Sequence, residues 1–259
     1  MGLERPFDDP HEGPASQLGG ARCTLADSEA VRQARAQERS AESLLALGKA
    51  LSRQLRYREA IAAYTEALTL EPDNRQLLRL RAGRYLTTLQ SYEAIADFSR
   101  CLVLGEEKLD CLYRIGLAHY YAGRYHCAAA AMEQCLPLCD DEMEIAVIYW
   151  HTLSAARTGE EPALLRRYRA GMAVGHHTAY EKAVRVWAGI EPFAAELTAL
   201  EAEPDDLEYC IALYGLAYHP ACRSTAGLLA RLLPRNAFWP CFSYLAAWQD
   251  ASRLLDTTY

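Results

Sequence analysis

One run constrains this chain more than any other: residues 41–142 repeat three times at a period of 34, with nothing between the copies. In the first copy Leu44, Leu47, Gly48 and Leu51 share one face of a first helix, and Ala60, Tyr64 and Ala67 share one face of a second, which Pro72 ends. One period later stand Leu78, Ala82, Tyr85, Ala94, Phe98 and Cys101, and two periods later Leu112, Ile115, Gly116, Ala128, Met132 and Cys135. Two helices cross closely only where one presents little side chain. That is the use of Gly48, Ala82 and Gly116 in the first helices and of Ala60, Ala94 and Ala128 in the second. A single hairpin of this kind cannot bury its large residues alone, so neighbours must stack. The expectation is an all-α chain, a right-handed α-solenoid of antiparallel helical hairpins.

This pattern resembles the tetratricopeptide repeat family, whose units carry a large apolar residue, Leu-Gly, an aromatic, a small residue, a second aromatic and a proline at set spacings. The chain departs from it in three places. Leu44 stands where the family often has Trp, Arg81 replaces the Leu before the small residue, and the closing Pro is missing from copies two and three. The resemblance implies a non-enzymatic protein-interaction scaffold or adaptor. One subclass clamps the C-terminal carboxylate of heat-shock chaperones with Lys, Asn and Arg; the matching places here hold Leu45, Lys49, Leu80, Asp110 and Arg114, of which only Arg114 fits.

The rest of the chain divides into a flexible N-terminal tail at 1–27, a leading helix plus the three repeats at 28–142 (41–74, 75–108 and 109–142), and a divergent helical-hairpin region at 143–259. Helices are expected over 142–157 and 162–174, which together make a fourth hairpin, and then over 178–189, 192–202, 205–218, 224–233 and 240–255. The last, a capping helix, aligns Cys241, Tyr244, Leu245, Trp248 and Leu255 on one stripe.

A net charge of −7 argues against a nucleic-acid backbone as the main partner. No apolar run reaches the roughly 18–20 residues of a membrane span, and the first residues lack the apolar core of a signal peptide, so a cytoplasmic location is expected. The nine cysteines form no Cys-x-x-Cys, and Cys101 and Cys135 occupy the place of Ala67, as small apolar fillers with reduced thiols. Cys135 and Cys139 lie four apart without further ligands at matching spacing, so no metal and no cofactor is expected.

In stacked hairpins the first helices line the concave side. The residues one turn from the packing face include Lys49, Arg53, Arg79, Tyr113, Arg114, Leu117, Tyr120 and Tyr121, the candidate peptide-binding groove. Basic residues there outnumber acidic ones against the sign of the whole chain, which favours an acidic peptide or protein segment as partner. Tyr120 and Tyr121 serve equally well as packing for the next hairpin. Two other readings are a peptide-sensing regulator and an enzyme with a site around His151, His176, His177 and Glu181. No phosphate loop, nucleophile elbow or paired-His zinc helix supports the last.

Overall fold

A computed structural model describes residues 26–256, so nearly all of the 1–27 tail lies outside the described residues. Thirteen α-helices and no strand are found among them: α1 (Glu29–Ala36), α2 (Ala41–Arg53), α3 (Tyr57–Leu70), α4 (Arg75–Thr87), α5 (Ser91–Val103), α6 (Lys108–Tyr121), α7 (Tyr125–Cys135), α8 (Asp141–Thr158), α9 (Thr178–Trp187), α10 (Phe193–Glu201), α11 (Asp206–Leu216), α12 (Thr225–Leu232) and α13 (Phe242–Asp256). From α2 to α8 each helix packs on the next, and the first helix α6 also touches α4 and α8. This is an α-solenoid of stacked hairpins.

Local chemistry repeats with the period. Side chains of Ser40, Asn74, Glu107 and Asp140 accept backbone N–H groups at the starts of α2, α4, α6 and α8, satisfying donors the helices leave open. Each hairpin turns through a left-handed residue at the same place: Leu55 (φ 60°), Leu89 (φ 57°) and Gly123 (φ 74°). The small-residue contacts are as tight as the spacing implies. A Cβ at Gly48 would run into the Tyr64 ring, and one at Gly116 into Met132. Arg81, the departure from the family pattern, is matched by Asp97, which takes Nε at 2.7 Å and Nη2 at 2.8 Å in a two-point ion pair.

The order changes after α8. The expected helix over 162–174 does not form, and this part of the fourth hairpin is corrected: a 3-10 turn covers Ala163–Arg167, and the chain then runs as a loop to α9. Gly171 and Gly175 both take left-handed backbone (φ 87° and 50°), which interrupts a helix. The loop is fastened to the start of α8 instead, by Arg167 to Glu144 (2.9 Å), Arg169 to Asp141 (3.0 Å) and the His176 N–H to the Glu142 carboxylate (3.1 Å). Beyond it, α11 becomes the hub: residues 209–217 are all buried, with α9, α12 and α13 packed around them. α13 also reaches the repeats, lying against α6.

Two glycine substitutions separate close packing from helix propensity. Gly83, on α4, has open space where a Cβ would stand. Gly83→Ala is expected to stabilise by about 0.5–1 kcal/mol through helix propensity, whereas Gly48→Ala is expected to destabilise by about 1–3 kcal/mol through overpacking against Tyr64. Urea unfolding of both variants checks the opposite signs.

Candidate peptide-binding face and the segment that covers it

The first helices α2, α4 and α6 set side by side the residues that the sequence assigns to a groove, but the structure uses them in two ways. In the first repeat Lys49 is half-buried and Arg53 exposed, and neither makes an ion pair among the described residues. Arg53 lies close enough to Tyr64, whose hydroxyl meets Ser52 Oγ at 3.4 Å, to act on its ionisation; burial nonetheless raises that tyrosine. The open space beside Gly83 continues this face into the second repeat. Arg79 and Arg114 come together on a single carboxylate, with Arg79 Nε 2.9 Å from Asp110 Oδ2 and Arg114 Nε 2.7 Å from its Oδ1. Burial alone would push the Asp110 carboxyl up, but the two guanidiniums outweigh it and hold the group below its ordinary range.

The third repeat is covered by the chain's own C-terminal segment. Tyr113 meets the edge of Phe242 at 6.4 Å, and the Arg114 guanidinium stands 5.9 Å over that ring. The Tyr121 hydroxyl donates to the Phe242 carbonyl at 3.0 Å, while its own carbonyl accepts from Arg253. The hydroxyls of Tyr120 and Tyr214 bond at 2.9 Å, and Leu117 is fully buried. Tyr113, Leu117, Tyr120 and Tyr121 therefore hold residues of the same chain. The segment extends to the first repeat, where buried Trp239 meets Tyr57 edge-on at 6.0 Å and the Arg84 guanidinium lies 4.6 Å from the centre of the same Tyr57 ring.

What fixes that segment is a buried carboxylate that sequence reading passed over. Asp250, on α13, is 2 % exposed. Its Oδ2 accepts from the Tyr218 hydroxyl (2.6 Å), the Tyr214 hydroxyl (2.7 Å) and Arg157 Nη1 (2.8 Å), and its Oδ1 from Arg253 (3.3 Å). The Arg157 guanidinium is in turn held between the rings of Tyr125 and Tyr218, each at 4.3 Å. Burial, reinforced by the charge of Asp250, raises the pKa of Tyr120, Tyr214 and Tyr218, so the hydroxyls stay protonated as donors. The available signal was an Asp in the middle of the last helix, two residues after Trp248 on its apolar stripe.

The alternative cluster does not converge. His151 Nε2 stands 3.4 Å from Glu133 on α7, His177 Nδ1 bonds the Glu142 carbonyl at 2.6 Å, and Glu181 accepts from the Tyr168 hydroxyl at 2.7 Å. His176 and His177 do line a pocket of about 320 Å³ with Tyr180, Cys241 and Phe242, but burial pushes the Cys241 thiol up to about 12, which keeps it protonated. Among the described residues no group of three or more His, Cys, Asp or Glu side chains is placed to hold a metal ion.

Residues 41–74 match the tetratricopeptide repeat family. The chain carries a tetratricopeptide repeat. Lys49 and Arg53 belong to this tetratricopeptide repeat, and the two copies after it keep its period and hairpin geometry. Solved structures similar to the chain include the following two. One is YrrB, described as a TPR protein with an unusual peptide-binding site: 16% identity, TM-score 0.45, covering 81% of this chain and 93% of that one. The other is the TPR domain of P58(IPK): 17% identity, TM-score 0.37, covering 84% of this chain and 66% of that one. No curated protein matches the chain. Among the described residues no helix is long and apolar enough to cross a membrane.

Asp250→Ala leaves Arg157 and two tyrosine hydroxyls without their acceptor, and a broken buried ion pair costs about 3–5 kcal/mol. Denaturant unfolding is expected to show a loss of that order. A loss under about 1 kcal/mol would mean that water already reaches the network.

Proposed function

We propose that the chain is a non-enzymatic protein-interaction scaffold that holds an acidic segment of a partner protein on the first-helix face of its first two repeats. The observation that carries this reading is the unpaired pair Lys49 and Arg53, on the same face as the open space at Gly83 and within the segment that matches the tetratricopeptide repeat family. Arg79 and Arg114 border that face and add positive charge when a partner carboxylate competes with Asp110 for them. The tyrosine wall of the third repeat contributes by holding the C-terminal segment, which borders the face from the third repeat to Tyr57 of the first. The eight described cysteines are all free thiols, which fits a reducing compartment such as the cytoplasm.

The test starts from a pull-down with mass spectrometry, followed by affinity measurements for the partner segment recovered. An Arg at a desolvated contact contributes about 2 kcal/mol, roughly thirtyfold in affinity. Lys49→Ala with Arg53→Ala is therefore expected to weaken binding by at least that factor, and Arg100→Ala, whose side chain pairs with Asp73 on another surface, to leave it unchanged. Asp110→Asn, which releases Arg79 and Arg114, is expected to tighten binding at low salt. Equal affinities for the parent, the double variant and the control would show that this face is not the site.

A further inference from the structure

A second surface lies in the C-terminal half, away from the repeats. Between α10 and α12 runs an open groove of about 690 Å³, within the range of roughly 300–1,000 Å³ typical of binding sites. Phe193 and Leu197 of α10 form one wall, and Leu228 of α12 with the half-buried Cys222 forms the other. Arginines stand along it. Arg223 is exposed and has no partner among the described residues, and Arg231 reaches Glu201 across the groove at only 3.6 Å. Both walls are helices whose backbone hydrogen bonds are internal, so an extended segment would find no unpaired edge to extend. Recognition here falls to side chains, as when an amphipathic helix lies in a groove and sets residues i, i+4 and i+7 against the apolar floor. The walls are nine and eight residues long, about 12–14 Å at 1.5 Å per residue, which matches two to three turns of a guest helix.

We infer that this groove docks an amphipathic helix of a partner protein, its apolar stripe seated between Leu197 and Leu228 and its flanking Asp or Glu side chains paired with Arg223 and Arg231. Charge selects the partner: a guest helix flanked by carboxylates gains a pairing for Arg223 and a stronger one for Arg231, while one flanked by Lys gains neither. The surface is independent of the face carrying Lys49 and Arg53.

Cys222 supplies a reporter inside the groove. The probe is a synthetic helical peptide with Leu at i, i+4 and i+7 flanked by Glu, and the readout is the rate of maleimide labelling of Cys222 by peptide mass spectrometry, with Cys127 on α7 as internal control. In the parent chain the peptide is expected to slow labelling of Cys222 by about tenfold or more, leaving Cys127 unchanged. By fluorescence anisotropy Arg223→Glu is expected to raise the peptide Kd by about tenfold, a loss of roughly 1.4 kcal/mol, and Arg223→Lys to restore most of it. Lys49→Ala with Arg53→Ala is expected to leave the protection of Cys222 unchanged, so failure here is distinct from failure at the repeats. Three results would overturn the inference: no protection and no binding at millimolar peptide, equal protection by the Lys-flanked peptide, or protection without peptide that grows with protein concentration and marks the groove as a contact between two copies.

Discussion

A carboxylate withdrawn from water is tolerated only where other donors replace its hydration. At Asp250 those donors are two tyrosine hydroxyls from α11 and its end, a guanidinium from α8, and a neighbour on its own helix. Four directed bonds on one group leave α13 little freedom to slide or rotate. Its position in turn decides where Phe242 and Trp239 fall, and so which part of the repeat face is covered. The sandwich of Arg157 between Tyr125 and Tyr218 ties the same point to α7. The two halves of the chain are thus joined by polar geometry as well as by apolar burial, and the geometry sets the register.

Much of the first half was legible because close helix crossing writes itself into sequence. A Gly or Ala must recur wherever a large side chain from the next helix arrives, and Gly48 facing Tyr64 and Gly116 facing Met132 show that constraint met. The second half lacks such a signal. Asp250 meets Arg157 across more than ninety residues, Trp239 meets Tyr57 across about 180, and neither contact leaves a period. The helix expected over 162–174 failed where two glycines in left-handed backbone and three ion-paired or hydrogen-bonded contacts to α8 favoured a loop. The candidate face was legible as a set of places on the first helices. What could not be read is that Asp110 is shared by Arg79 and Arg114, and that Tyr113, Leu117, Tyr120 and Tyr121 are occupied from within.

These placements change how charge is distributed for recognition. The chain as a whole is acidic, yet among the described residues several cations without an ion pair, Lys49 and Arg53 on the repeats and Arg223 beside the α10–α12 groove among them, stand next to open or apolar surface. Cations elsewhere, such as Arg81, Arg157 and Arg235, are consumed by internal carboxylates. An acidic background with isolated basic sites disfavours random association.

The C-terminal segment lies on the repeats, and Trp239 against Tyr57 is that contact reduced to one pair of rings. Their centroids are 6.0 Å apart, edge to face, which brings ring protons close enough for direct magnetisation transfer. Nuclear Overhauser spectra of the full chain with selectively labelled tryptophan and tyrosine are expected to show cross-peaks between the Trp239 indole and the Tyr57 ring. Their absence, with Trp239 instead showing the exchange and chemical shift of a solvated indole, would mean that the C-terminal segment does not lie on the repeats.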